Sequence, residues 1–202
     1  MRGRLAKLFR YAIPAFLFAG VVVADDTAAP DIETLIAEGE NAYAEGQYLS
    51  AATYLETAAQ LIREQMGGAF VDLLPDPLAG WTAAEPSTTS GALTVTQATR
   101  MYTHTDSGGR VKIEITASSA LAQGMAAMMQ NPVIIASQNG EIQEIGGQQV
   151  TVVANQATAI IGEVVVQINA IGTATQAHAV EYANALNFDD IVAFAGTQAD
   201  AE

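Results

Sequence analysis

From Ile32 the apolar residues Leu35, Ile36, Ala42 and Tyr43 recur at helical spacing, with Asp31 placed to cap the run and Gly46 to end it. A second helix is predicted from about Gln47 to Met66. Its apolar face is Tyr48, Ala51, Ala52, Leu55, Ala58, Ala59, Ile62 and Met66, and Gly67-Gly68 is expected to stop it. Alanines on the facing sides let two such helices approach closely as an antiparallel hairpin. Beyond Phe70 the period changes. Phe70, Val71, Leu73 and Leu74 lead into Pro75-Asp76-Pro77 and Gly80-Trp81, and Glu85 to Gly91 reads as a Ser/Thr loop.

Alternation through Leu93, Val95 and Thr99 to Tyr102 predicts two strands or one long bent strand. Ser107-Gly108-Gly109 is a hairpin turn signal. After it Val111, Ile113 and Ile115 alternate with Arg110, Lys112 and Glu114, the signature of a half-buried strand. Ser118 or Ser119 caps a helix running to about Gln130, which Pro132 breaks or restarts. A meander follows. Ile142 and Ile145 stand against Glu141, Gln143 and Glu144, and Gly146-Gly147, Asn155-Gln156 and Gly162-Glu163 then separate the runs 149–153, 157–161 and 164–171. A final helix spans Thr175 to Leu186, a short one Phe188 to Phe194, and a polar tail begins at Gly196.

Strands joined by two- or three-residue turns must pair antiparallel. The expected fold is therefore α+β: an N-terminal helical hairpin, then a mainly antiparallel sheet of about five to six strands with one face covered by two helices. The expected organisation is a leader over 1–24, the hairpin over 25–68, the sandwich over 69–196 and a flexible tail over 197–202.

The leader reading rests on Arg2, Arg4, Lys7 and Arg10, the apolar run from Tyr11 to Ala24, and small Val22 and Ala24 before Asp25-Asp26. That run is shorter than the roughly 20 residues a spanning helix needs, so a cleaved secretory signal is expected and an uncleaved anchor is its rival. Export, to the periplasm or beyond it to the medium, is the address this implies. Composition sharpens the picture. The 202 residues carry 8 Lys+Arg against 22 Asp+Glu, and all four basic residues of the leader would leave with it. Only Arg63, Arg100, Arg110 and Lys112 then oppose the acids, which argues against nucleic acid and anionic membrane surfaces as partners. The absence of cysteine excludes disulfides, thiol catalysis and thiolate metal sites.

Gly39, Ala42, Tyr43, Gly46, Tyr48, Ala51, Leu55 and Ala58 stand in the spacing of a tetratricopeptide repeat, and the hairpin resembles a single such unit. Leu35 occupies the place where that motif usually has an aromatic, and the usual proline after the second helix is missing. One repeat cannot stack, so its apolar face must cover its own domain, dimerise or dock on a partner. The element order from about 70 to 195, with Leu74, Pro75, Gly80 and Trp81 at its entry, resembles the PsbP-like (Ran-binding Mog-type) sandwich. Members of that group are mostly non-enzymatic binding or assembly factors, which the resemblance extends to this chain as an expectation.

Candidate chemistry is thin. His104 and Asp106 fall on one side of a strand, too few ligands for a zinc site, and His178 sits mid-helix among alanines. Met125, Met128 and Met129 are read as core, as a hydrophobic contact surface, or as soft ligands for Cu(I). Ser-x-x-Lys and Gly-x-Ser-x-Gly are absent, and Gly108-Gly109 and Gly146-Gly147 are hairpin glycines with no helix opening from them. No catalytic, cofactor-binding or metal residue is assigned. The function expected is an exported, non-enzymatic protein-interaction or assembly module of the cell envelope. Its partner is a protein met through Tyr43, Tyr48 and Tyr54. A small-ligand or copper carrier with an apolar pocket at Met125, Met128 and Met129 is the first alternative, and a hydrolase of unknown type is the second.

Overall fold

The computed structural model describes residues 31–90, 95–129 and 131–199. The leader expected over 1–24, Leu93 and the last residues of the tail lie outside the described residues. From Asp31 onward the chain forms one compact unit. Helix α1 (Ile32–Ala44) opens where expected, because the Asp31 side chain accepts the Thr34 N–H at 2.7 Å. Helix α2 (Tyr48–Asp72) returns antiparallel to it and is longer than expected, since Gly67-Gly68 do not stop it. Gly67 is buried beside Thr88 and Thr96, and Phe70 three residues on is buried in the core, so packing of this last stretch against the sheet outweighs the poor helix propensity of the two glycines.

Among the described residues eight antiparallel strands form one sheet. They are β1 (Trp81–Ala83), β2 (Ser87–Ser90), β3 (Thr96–His104), β4 (Arg110–Ala117), β5 (Glu141–Ile145), β6 (Gln148–Val153), β7 (Gln156–Ile161) and β8 (Val164–Ile171). The spatial order is β1-β3-β4-β8-β7-β6-β5, with β2 also paired to β3. The Ser/Thr stretch read as a loop is in part strand β2. Its four residues are all exposed, so it carries no hydrophobic alternation to reveal it.

Four further helices follow the chain order: α3 (Ser119–Met129), α4 (Pro132–Ser137), α5 (Gln176–Ala185) and α6 (Phe188–Ala199). The two helices expected on one face, α3 and α5, lie on opposite faces. On the first face Val111, Ile113 and Ile115 of β4 stand beside Ala170, Ile168 and Val166 of β8. Over them pack Ala179, Tyr182 and Ala183 of α5, Ile191 of α6 and Phe70 of α2, all buried. The Phe70 and Phe194 rings, 4.8 Å apart, join α2 to α6. On the second face α3 packs on β7 and β8, with α4 beside it. Ile142 and Ile145, grouped together from the sequence, point to opposite faces because strand side chains alternate: Ile145 is buried and Ile142 exposed. Helix α6 also continues past Gly196 to Ala199.

Among the described residues the hairpin packs on this sandwich chiefly through one end. The last turns of α2 pack on β2 and β3, whereas α1 packs chiefly on α2. Gly39 sets how close the pair comes, since a Cβ at that position would sit 2.8 Å from Leu55 Cγ.

Candidate functional site

Three places hold the residues that the sequence singled out. The first is the free end of the hairpin. Tyr43 and Tyr48 flank the turn, each 67% exposed, and their rings meet edge to face at 5.7 Å. Leu49 beside them is 88% exposed. Tyr54 is not part of this group. It lies six residues past Tyr48, roughly 240° around the helix, so it sits on a different side. Leu49 was absent from the face read from sequence, and its only signal was an apolar residue off the helix's inward stripe. Over the hairpin as a whole the charge is one-sided. Between 31 and 66 there are seven acidic residues, Asp31, Glu33, Glu38, Glu40, Glu45, Glu56 and Glu64, against Arg63 alone.

The second place is a cleft on the second sheet face. Met125, Met128 and Met129 of α3 line it together, with Ile135 above and Thr151, Val153 and Thr158 of β6 and β7 below. Its volume is about 160 Å³. Thr151 and Thr158 are cross-strand partners and both are buried. Gln167 of β8 donates to the Met125 thioether at 3.9 Å, which ties α3 to the sheet at the cleft's edge. The strand register then lays out a polar floor beside the cleft. Lys112, Asn169 and Gln156 form one cross-strand row, and Glu114, Gln167 and Thr158 the next. This floor underlies an open trough of about 700 Å³ that shares Gln138, Val153 and Gln156 with the cleft.

The third place gathers both histidines. Trp81 is buried with its ring 5.0 Å from His104, 5.4 Å from His178 and 5.3 Å from Tyr182. The backbone N–H groups of Asp106 and Ser107 both donate to His104 Nδ1, each at 3.3 Å. The Thr175 N–H donates to His178 Nδ1 at 3.0 Å, so this histidine caps the start of α5 in the role a Glu or Gln usually takes. A ring nitrogen that accepts N–H bonds leaves the ring proton on Nε2, where it blocks the lone pair a metal would need. The His104–Asp106 pairing thus uses the Asp106 backbone rather than its carboxylate. Among the described residues no group of three or more His, Cys, Asp or Glu could hold a metal ion.

The neighbouring tyrosines are structural. Tyr102 donates to Pro75 O at 2.7 Å and stacks on Tyr182 at 4.5 Å, and burial pushes each phenol up to about 12. Arg100 is spent beside them on Ala84 O at 3.0 Å and Pro75 O at 3.3 Å. No helix among the described residues is long and apolar enough to cross a membrane. Compared with known proteins, the chain matches no family model, no curated protein and no solved structure.

Proposed function

We propose that this is an exported, non-enzymatic interaction module that holds a partner protein on the free end of its helical hairpin. The observation that carries this reading is the tip, where Tyr43, Tyr48 and Leu49 stay in water on a helix whose other end is sealed into the core. An exposed aromatic pair beside a leucine has large apolar area and little rotamer entropy to lose, the composition of a binding anchor. Glu40 and Glu45 near the turn and the acidic balance of the whole hairpin suit a partner of opposite charge: an amphipathic helix with Lys or Arg flanking its apolar face. A second copy of the same hairpin would bring like charges together and fits less well. The tetratricopeptide-like spacing of the hairpin and the leader-like N-terminus are consistent with such a role outside the cytoplasm.

The test is site-specific photocrosslinking in the native envelope. A photoreactive group at Tyr48 is expected to trap a discrete adduct that the same group at Ser87, an exposed position on β2, does not. Identical adducts from both positions, or none from Tyr48, would reject the reading. A second reading, a small-ligand carrier, is favoured by a separate observation: the three methionines of α3 line one cleft.

A further inference from the structure

We infer that the cleft and the adjoining trough form one binding site for an uncharged amphiphile, an aryl group joined to a body of hydroxyls or amides. This inference rests on the carrier reading and is independent of the hairpin.

The apolar end follows from size and surface. A closed cavity of about 150 Å³ accepts a benzene-sized group, and the cleft measures about 160 Å³. Three thioethers line it, and sulfur at a ring edge makes a favourable contact that an alkyl chain cannot match. Met128, 57% exposed at the lip, has the unbranched side chain to fold over an entering ring.

The polar end follows from unspent hydrogen-bonding groups. Gln156 and Asn169 are half-buried cross-strand partners, and neither side chain has a hydrogen-bond partner among the described residues. Each amide offers both donors and acceptors, which matches hydroxyls and amides equally. The ionisable pair on the floor cancels itself, since Lys112 Nζ lies 2.7 Å from Glu114 Oε2. No unpaired cation on this floor would receive an anion, and the acidic chain repels one. The body of the ligand is therefore neutral.

Methionine methyl NMR tests this directly, on protein labelled at the Met methyl carbons. The probes are phenol, phenyl glucoside, N-acetylphenylalaninamide and phenyl phosphate. Met66, on α2, is the control. The expected result is saturable movement of the Met125, Met128 and Met129 signals with Met66 still. Phenyl glucoside or N-acetylphenylalaninamide should bind about tenfold tighter than phenol, a gain of the order one or two hydrogen bonds give. Which of the two binds tighter tells a sugar body from a peptide one. Phenyl phosphate should bind more weakly than phenol. In a Gln156→Leu, Asn169→Leu protein the advantage over phenol should vanish while phenol still moves the three methyls. No movement with any probe would overturn both this inference and the carrier reading. Phenol binding as tightly as the neutral amphiphiles, phenyl phosphate binding tightest, or an advantage that survives the double substitution would overturn the inference and leave a carrier of apolar groups.

Discussion

The two ends of α2 live in different worlds. At its C-terminal end Phe70 is fully buried against the sheet and against Phe194, and Gly67 rests on Thr88 and Thr96. At its N-terminal end Tyr48 and Leu49 face water, and α1 is the element that packs on the helix there. One continuous helix of 25 residues, about 37 Å long, connects them. The apolar residues at the buried end are explained by stability. Those at the free end add nothing to the core, and docking is the account we propose for them.

The contrast can be broken most forcefully at the buried end. Phe70→Ala should cost about 3–5 kcal/mol, because it empties a site between α2, α6 and the sheet. Leu49→Ser at the free end should stay within about 0.5 kcal/mol. Chemical denaturation of both proteins reads the difference, and similar losses would erase the distinction. Gly39→Val comes next, at roughly 1–3 kcal/mol, since the added carbons meet Leu55. Its effect should be confined to the hairpin, with faster amide exchange in α1 and unchanged protection in β4 and β8.

Alkali gives a third handle on the buried half. Tyr102 and Tyr182 have folded values near 12, above the ordinary phenol value of 10.0, because burial opposes their charged forms. The neutral phenols therefore contribute stability that is complete below pH 10 and is lost as the pH rises from there toward 12. Denaturation midpoints should fall across that window, and two phenols that ionise above the ordinary range should be seen in the ultraviolet spectrum. A Tyr102→Phe, Tyr182→Phe protein should lose much of that dependence. The smallest effect is at the start of α1. There the Thr34 N–H lowers the Asp31 carboxyl below its usual value, so this cap stabilises the helix above about the ordinary carboxylate pKa and weakens as acid protonates it. Asp31→Ala should fray the first turn of α1 at neutral pH, visible as local amide exchange, without moving the global midpoint.

Much of this architecture was readable from local patterns. The alternation in β4, the Asp31 cap and the glycine turn at 107–109 each encode their element through residues next to one another in sequence. What escaped depends on distant partners. Gly67-Gly68 reads as a stop because the strands against which the end of α2 packs, β2 and β3, lie about 20 and more positions away. Strand β2 is polar on both sides, and β1 is three residues long, so neither leaves a period to detect. The separation of α3 from α5 onto opposite faces depends on where the chain crosses the sheet edge, which no helical period records. At the sites the same division holds. The methionine spacing puts Met125 and Met129 on one side of α3 by local geometry. The amide floor, in contrast, is assembled by register from β4, β8 and β7 and has no sequence motif.

The measurement that bears most directly on the central claim is peptide binding to the hairpin tip. A labelled amphipathic helix with a leucine face and lysine flanks is titrated, by fluorescence anisotropy, with the wild-type protein and with a Tyr43→Ala, Tyr48→Ala, Leu49→Ser protein. A glutamate-flanked copy of the peptide is the control. The account predicts that the lysine peptide binds the wild type, that the triple substitution weakens it at least about tenfold, equivalent to roughly 1.4 kcal/mol, and that the glutamate peptide does not bind. Equal binding to both proteins would show that charge alone attracts the peptide, and the claim that the tip is a docking face would be contradicted.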